Sequence, residues 1–442
     1  MVEQRLQNPF ARVFWISGLV AVFALAGFVA IFVSPLVVFG ALVGVALAWA
    51  LLYRPTRALG ILLAVMPFQF LPITLGKFYG FEHMSALSIC TKEAPLLLLA
   101  IALLQRNGFR PVLADWFAGA FFTVALVRSA FGGFFMGFAD DVVFLIPYLV
   151  GRVAVLDQAQ ERLWVRRAVW ITAVLSVVGI GELLFLGEEP RRLLLAVALT
   201  EEDLSGLHAG GYEGLRASST MGGPLAFGAL CMIALILWWV YSRNPIPAGI
   251  VFAGLVCSLT RSAWAGTFVA ISVLALRLGQ KRRFLKFGMA SAVLFLVAIP
   301  LLEIRDFVSM STTGQDNSVQ GHVASLRKGV AYVLDHPLGS GGGSVGFRAT
   351  KDNALLENID SVYLTYGANY GVLAILSFGG FLVSAFCAVW KQRSQMGYAA
   401  LGILVGFAIM MMFEPTRTGT QLNSWVWIPV GLSLRSVQET RA

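Results

Sequence analysis

Long apolar segments separated by short polar connections recur along almost the whole chain. A helix needs about 20 apolar residues to cross the hydrocarbon core of a bilayer. Lipid offers no water, so each segment must satisfy its own backbone as a helix, whereas a barrel would show short alternating strands. The pattern predicts spans near 13–34, 36–53, 58–75, 90–104, 112–130, 142–156, 165–187, 223–241, 246–260, 263–277, 285–302, 362–390, 397–413 and 424–436.

The sixth and fourteenth of these segments are short enough to be re-entrant, so we expect about 12–14 transmembrane helices. Composition agrees, because 58% of the 442 residues are hydrophobic and 13% are charged, about half the charged fraction of a soluble domain. We therefore expect an all-α, polytopic membrane protein with a single integral membrane domain, residues 1–442. The cysteines lie singly in or beside apolar segments and make no metal-ligand spacing: Cys90, Cys231, Cys257 and Cys387.

The formal net charge of +9 lies mostly in short connections, which indicates membrane topology rather than nucleic-acid binding. Lysine and arginine in short loops favour the cytoplasm. The richest such loop is 277–286, which we place inside. Alternation from there puts the other basic loops and both termini in the cytoplasm and the acidic pair Asp140 and Asp141 outside.

Two connections are too long to be simple turns, and both fall on the predicted periplasmic side: 188–222 and 303–361. The second separates the last three spans from the rest, and weak amphipathic patterning at 319–335 predicts a surface helix in it. Long loops on a compact scaffold are usually functional or disordered. Aromatic residues, a turn and mixed charge favour a folded loop here, which we expect to carry the active-site and acceptor-binding region.

Several basic residues lie within or beside the apolar spans. Inserting a charged side chain into the membrane costs roughly 2.5–3.5 kcal/mol at the middle of a helix. Arg261 lies at the outer end of a tight hairpin, Arg216 precedes the eighth span, Arg128 ends the fifth and Lys92 begins the fourth. Each could simply extend to the lipid headgroups, the interpretation we favour for Arg128 alone. Small residues beside Arg216 and Arg261 leave room for a ligand, and paired arginines suit phosphate oxygens. An anionic, phospholipid-like ligand at the outer leaflet is therefore expected.

The large loop contains a glycine run, 339–346, that lacks the lysine and hydroxyl residue of a phosphate-binding loop. Taken alone it predicts a flexible turn, since glycine tolerates positive φ. Farther on, Asp360-Ser361-Val362-Tyr363 leads directly into the twelfth span. This places a carboxylate where a helix enters the membrane. The alternative is a helix N-cap, with Asp360 or Ser361 bonding free backbone amides.

In order, these pieces resemble the O-antigen ligase and O-antigen polymerase superfamily of bacterial polysaccharide assembly. They are Arg216 before a proline-containing span, Leu259-Thr260-Arg261-Ser262 at a hairpin, Arg327 followed at a fixed spacing by His336-Pro337-Leu338-Gly339, and a polar residue before Tyr363-Leu364. The resemblance covers mainly residues 210–380. No single motif is specific for this family, but the set of motifs in this order is more specific for it.

The resemblance implies an inverting membrane glycosyltransferase of the bacterial inner membrane that uses neither a metal, a nucleotide sugar nor another cofactor. Its partners would be the bilayer, an undecaprenyl-diphosphate-linked oligosaccharide, a glycan acceptor and other polysaccharide-assembly proteins. Ligases pass the glycan to lipid A-core sugar, and polymerases pass it to the next lipid-linked repeat. Arg216 and Arg261 would hold the diphosphate on the periplasmic side, and Arg327 would add positive field or bind acceptor sugar. Arg128, Lys92 and His336 complete the expected substrate-binding set.

One departure from the family concerns the candidate general base. Ligases carry a histidine in His-Asn-x-Tyr where this chain has Asp360, and related exopolysaccharide polymerases commonly carry aspartate there. A carboxylate can also accept a hydroxyl proton, so we favour a polymerase, with an O-antigen ligase as the alternative. His336 is a competing base, although a structural loop role is favoured for it. A polysaccharide flippase or secondary transporter is the alternative of another class, but such proteins tend to show internal repeats and charges near mid-membrane.

Overall fold

The computed structural model describes residues 55–68, 96–105, 107–132, 135–185, 216–301, 317–345, 359–413 and 420–439. The predicted spans 13–34 and 36–53, the candidate Lys92 and most of the loop 188–222 lie outside these residues. Within them the chain is helical apart from turns and short connections, and they contain no strand. The all-α prediction is confirmed.

The helices fall into three groups along the chain. The first comprises α1 (Pro55–Val65), followed by the 3-10 turn Met66–Phe68, then α2 (Leu96–Gln105), α3 (Leu113–Gly132), α4 (Phe135–Val142), α5 (Leu145–Val153) and α6 (Gln158–Phe185). The second comprises α7 (Pro224–Tyr241), α8 (Pro245–Cys257), α9 (Arg261–Arg277) and α10 (Lys281–Leu301). The third comprises α11 (Asn317–Asp335), α12 (Val362–Tyr370), α13 (Val372–Trp390), α14 (Gln395–Phe413) and α15 (Thr420–Glu439). The surface helix predicted at 319–335 is thus present as α11.

Among the described helices, α3, α6, α7, α13 and α14 are long and apolar enough to cross a membrane. Their outer faces are apolar as well: Val174 and Val177 of α6 are 56% and 57% exposed. Such faces suit lipid rather than water. Helix α7 differs, because its side chains from Phe227 to Trp239 are buried and α6, α8, α9, α14 and α15 pack around it. The prediction of a multi-pass membrane protein is therefore confirmed, and α7 is the helix around which these other helices pack.

The predicted span 362–390 is wrong as a single helix, because the chain breaks at Gly371 into α12 and α13. Gly371 has φ +86°, and a Cβ there would lie 2.5 Å from Pro337 O. The N–H of Val372 donates to that same carbonyl over 2.9 Å. The outer loop therefore packs against the break, which only glycine accommodates. Two hydrogen bonds hold the ends of α12: Tyr363 at its start donates to Ala408 O of α14, and Tyr370 at its end donates to Asp141.

The predicted span 142–156 contains the nine-residue helix α5, about 14 Å long and too short to cross the hydrocarbon core. Its backbone packs closely on α15. A Cβ at Gly151 would lie 2.3 Å from Ile428 O, and one at Gly431 would lie 2.5 Å from Tyr148 O. Small residues allow helix backbones in a membrane to approach this closely. The short length agrees with the expectation that this segment need not be a full span.

Helices α9 and α14 form a second close pair. A Cβ at Gly266 would lie 2.6 Å from Gly406 O, and Gly406 faces the Gly266 carbonyl at 3.2 Å in the same way. The two glycines therefore mark the same level along both helices. Residues equally far from these glycines toward the same end of the two helices therefore lie at similar heights in the bundle.

Side-chain contacts at the helix ends agree with the alternation predicted from the charged loops. One set joins residues predicted to lie inside: Arg277 with Trp390, Arg283 with Ser242, and Arg435 with Val153. The other joins residues predicted to lie outside: Arg128 with Gly339, Asp141 with Tyr370, and Arg216 with Thr260. We call these the Arg277 end and the Arg261 end of the bundle. The cytoplasmic position of the Arg277 end stays a prediction from the charge rule.

Candidate functional site

Arg216 lies against the turn that leads into α9. Its Nε donates to Ser258 O over 3.1 Å, and its Nη2 donates to Thr260 Oγ1 over 3.0 Å. The next residue reinforces the contact, since Ala217 N–H donates to Cys257 O over 3.0 Å. Arg261 follows this turn as the first residue of α9, and both arginines are half-buried. The two arginines singled out in the sequence therefore belong to one local structure.

The segment after Arg216 and the turn before Arg261 each contain a non-glycine residue in the left-handed region. These residues are Ser219, with φ +51°, and Leu259, with φ +48°. Such conformations cost about 1–3 kcal/mol and cluster at functional sites. Close packing holds the second loop in place, because a Cβ at Gly228 would lie 2.8 Å from Ser258 Oγ. The Thr260 hydroxyl donates to Pro224 O over 3.1 Å and makes no cap bond to α9.

The carboxylate of Glu182, near the end of α6, anchors the segment that begins with Arg216. Its Oε2 accepts the N–H groups of Ser218 and Ser219 over 3.2 and 2.8 Å. Ser219 Oγ also donates to Leu175 O over 2.8 Å. Glu182 was not among the predicted site residues. Its only sequence signal is an acidic residue close to the predicted outer end of an apolar span.

Asp360 is bonded to α11 of the large outer loop through both its side chain and its backbone. Its Oδ2 lies 2.7 Å from Nδ1 of His322, and its N–H donates to Ser325 Oγ over 3.0 Å. The side chains of Asp360 and His322 remain 23% and 33% exposed, so the pair can be reached from outside the protein. His322 was not among the predicted site residues.

The N-cap alternative for this segment is wrong for both residues considered. Ser361 occupies the N-cap position of α12, but its side chain makes no cap hydrogen bond. Its hydroxyl instead points to Met411 O at 3.5 Å. The carboxylate of Asp360 is engaged by His322 rather than by the first amides of α12.

The level shared by Gly266 and Gly406 relates Arg261 to Asp360. Arg261 lies five residues from Gly266 and Met411 lies five residues from Gly406, which is about 7.5 Å toward the same end at 1.5 Å per residue. Ser361 contacts Met411. Arg261 and the residue next to Asp360 are thus carried by neighbouring helices at one level, and the arginines and the Asp360 pair share the Arg261 end.

The glycine-rich segment after α11 is a packed structural unit rather than a free turn. Gly339, Gly341 and Gly343 have φ values of +73°, +104° and +77°. Ser340 N–H donates to Ala368 O over 2.9 Å, and Gly341 N–H donates to Asn369 O over 2.8 Å. Arg128 Nη2 donates to Gly339 O. This contact gives Arg128 a structural partner in the loop, in place of the lipid headgroup contact favoured for it from the sequence.

Asp141, from the predicted external acidic pair, is 1% exposed and anchors the end of α12. It accepts from Tyr370 Oη over 2.8 Å and from Asn369 Nδ2 over 3.2 Å. The carbonyl of the same Asn369 side chain accepts the N–H of Val345 over 3.0 Å. Buried carboxylates require such donors. The chain from Asp141 through Asn369 to Val345 therefore fixes the glycine segment on the bundle.

His336 and Arg327 do not join the pair at Asp360. His336 is exposed and stacks on Tyr332 with ring centroids 4.3 Å apart. It follows α11, whose end is about 20 Å along the helix axis from His322. Arg327 is exposed on α11. The structure thus favours a loop role for His336 and leaves Arg327 free to face solvent or an acceptor.

Comparison with known protein families finds a match to the part of the chain that carries this site. Residues 246–379 match the family model described as O-antigen ligase. The matched region contains the Arg261 turn, α11 and Asp360. The resemblance to the O-antigen ligase and polymerase superfamily is thereby confirmed over these residues, and the match supports glycosyl transfer of this type in polysaccharide biosynthesis. Comparison with curated proteins finds no match.

Proposed function

We propose that this protein is a glycosyltransferase of the bacterial inner membrane that transfers glycan from an undecaprenyl diphosphate donor at its periplasmic face. The observation that carries the proposal is the attachment of Arg216 to the turn of Arg261. Two guanidinium groups held at one helix start provide fixed positive charge for a diphosphate. The Arg261 end of the bundle is the periplasmic end in this proposal.

The reaction exchanges one glycosidic bond for another. A hydroxyl oxygen of the acceptor attacks the anomeric carbon from the face opposite the diphosphate, the bond from that carbon to the diphosphate oxygen breaks, and the configuration inverts. The proton of the attacking hydroxyl passes to the pair formed by Asp360 and His322. Negative charge grows on the departing diphosphate, where Arg216 and Arg261 stabilise it. Stabilisation of developing charge by preorganised groups is usually the largest catalytic contribution.

In this scheme the arginines supply the charge that a divalent cation supplies in many phosphate-dependent enzymes. The guanidinium group offers donors in a planar fork that matches phosphate oxygens, and it stays protonated. The proposal is therefore metal-independent transfer. The membrane supplies the donor, since the polyprenyl chain stays in the bilayer next to the apolar faces of the helices.

Elongation of a lipid-linked repeat is favoured over transfer to lipid A-core. The reason is the aspartate at position 360, where ligases of the family carry histidine and related polymerases carry aspartate. A flippase is the alternative of another class, and it would favour ionised groups near mid-membrane. The buried pair of Arg152 and Asp115, with Nη2 to Oδ2 at 2.9 Å, lies instead at the first turn of α3, at the Arg277 end.

The experiment is a reaction with purified protein in nanodiscs and undecaprenyl-diphosphate-linked repeat units, with and without EDTA. Elongated glycan on a gel in both conditions supports the proposal. Products formed only when lipid A-core is added would identify a ligase. Absence of any new glycosidic bond with either acceptor would overturn the proposal.

A further inference from the structure

The contact between His322 and Asp360 joins two elements that are far apart in the chain. His322 comes from α11 of the large loop, and Asp360 comes 38 residues later, just before α12. Their 2.7 Å separation is that of a charge-assisted hydrogen bond. Both side chains remain accessible to solvent. An ion pair that is accessible to solvent adds little to the stability of a protein. Stability alone therefore does not account for this pair.

The hydrogen bond to Asp360 defines which tautomer the His322 imidazole adopts. A carboxylate accepts hydrogen bonds, so Nδ1 of His322 carries the hydrogen and donates to Asp360 Oδ2. In the neutral ring, Nε2 is then the unprotonated nitrogen and carries the basic lone pair. A carboxylate that fixes the tautomer in this way also stabilises the imidazolium after a proton arrives.

We propose that His322 is the general base of this protein and that Asp360 is its positioning residue. The proposal rests on the proposed glycosyl transfer and revises the role expected for Asp360 from the sequence. It assigns the imidazole to a different element from that of the ligases: the outer loop supplies it through α11, and the carboxylate stands at the start of α12.

In the reaction, Nε2 of His322 takes the proton of the acceptor hydroxyl as its oxygen bonds to the anomeric carbon. The electron pair of the breaking bond leaves with the diphosphate. The imidazolium, still bonded to Asp360 through Nδ1, later returns its proton to water. A positioned side chain that accepts a proton in the transition state, most often a histidine, is the usual form of general-base assistance.

The packing of α11 explains how the imidazole reaches this position. Gly329 is buried against α12, and a Cβ there would lie 3.1 Å from side-chain atoms of both Ile359 and Leu364. Ser325, between Gly329 and His322 on the same helical face, accepts the Asp360 N–H. The packing at Gly329 and the hydrogen bond to Ser325 lie along one stripe of α11, and they therefore seat His322 beside Asp360.

The test compares purified His322→Ala, His322→Asn and Asp360→Asn with Lys328→Ala, which alters an exposed residue of the same helix. General-base assistance contributes typically ~10²–10⁴-fold, so we expect His322→Ala and His322→Asn to lose about that much rate. Asparagine keeps a donor for the Asp360 carboxylate but has no basic nitrogen. Added imidazole should restore part of the activity of His322→Ala and none to an Arg261→Ala variant. Lys328→Ala should transfer at the wild-type rate.

Wild-type rates in both His322 variants would show that the pair is only a clamp, and the base assignment would be wrong. Activity in His322→Asn with inactive Asp360→Asn would return the base role to Asp360. Loss in His322→Ala without imidazole rescue, together with a lowered melting temperature, would also contradict the proposal. Failure of the proposed function itself is distinct, because the wild-type protein would then form no glycosidic bond.

Discussion

Arg216 and Thr260 are 44 residues apart in the chain, yet Arg216 Nη2 donates to the Thr260 hydroxyl over 3.0 Å. Thr260 is the residue immediately before Arg261, so a change in the Arg216 segment is transmitted to the start of α9. We therefore expect the two arginines to act as one unit rather than as separate headgroup contacts. This relationship makes the arginines the first target for substitution.

Replacing either arginine with alanine should abolish most glycosyl transfer while leaving the protein in the membrane. Loss of one donor to a developing anion costs about 10²–10³-fold in rate. Arg216→Lys and Arg261→Lys should recover little of this loss, because an ammonium group cannot reproduce the guanidinium fork. The measurement is the rate of chain elongation by purified variants matched for protein amount.

Arg277→Ala is the matched control for the arginine variants. Arg277 packs over Trp390, with its guanidinium carbon 4.9 Å from the ring centroid, at the opposite end of the bundle. Its loss should leave the elongation rate near the wild-type value. Equal rates in Arg216→Ala, Arg261→Ala and Arg277→Ala would mean that the first two arginines serve only the lipid headgroups.

Glu182 should affect the rate of glycosyl transfer, because it anchors the segment that begins with Arg216. Glu182→Ala removes the acceptor of two backbone N–H groups next to Arg216. We expect the transfer rate to fall about tenfold or more, the equivalent of one hydrogen bond to a charged group. Glu182→Gln keeps an acceptor oxygen and should retain most activity. Similar losses in both variants would indicate that the negative charge matters, and no loss in either would contradict the anchoring role.

The glycine segment predicts a stability difference. Gly339→Ala places a side chain at φ +73° with its Cβ 2.4 Å from Gly371 N. Gly288→Ala, on α10, meets nothing within 4 Å. Thermal unfolding in detergent should show Gly339→Ala destabilised by about 1–3 kcal/mol, and Gly288→Ala unchanged or stabilised by about 0.5–1 kcal/mol. Equal melting temperatures would contradict the packed loop.

The five membrane-length helices of the described residues and the surface helix α11 could be predicted because apolar length and amphipathic period are local properties of the sequence. The break at Gly371 could not, because one glycine hardly changes the hydropathy of a continuous apolar segment. What creates the break is the approach of Pro337 O from the outer loop, a long-range contact. The polar residues Asn369 and Tyr370, just before the glycine, were the available signal.

The residues of the candidate site could also be predicted only in part. Arg216 and Arg261 could be predicted because each stands beside an apolar span, where charge is conspicuous. Glu182 and His322 could not, because their roles come from partners 36 and 38 residues away. His322 is one of only four histidines in the chain, and it lies on a predicted amphipathic segment. That scarcity was its only signal.

Topology provides a prediction that is independent of activity. A reporter fused after Asp316 should read as periplasmic, and one fused after Arg283 should read as cytoplasmic, because basic short loops stay inside. Alkaline phosphatase and a cytoplasmic fluorescent protein give complementary readouts. Finding both fusion sites on the same side would contradict the alternation of the helices.

In the proposed reaction, this protein breaks the bond between a glycan and a lipid diphosphate at the arginine pair. The most direct measurement counts undecaprenyl diphosphate released and glycosidic bonds formed by the purified protein and by Arg261→Ala. The account predicts equal amounts of both products from the wild-type protein and almost none from the variant. Movement of intact lipid-linked glycan across proteoliposomes, with no diphosphate released and no bond formed, would contradict it.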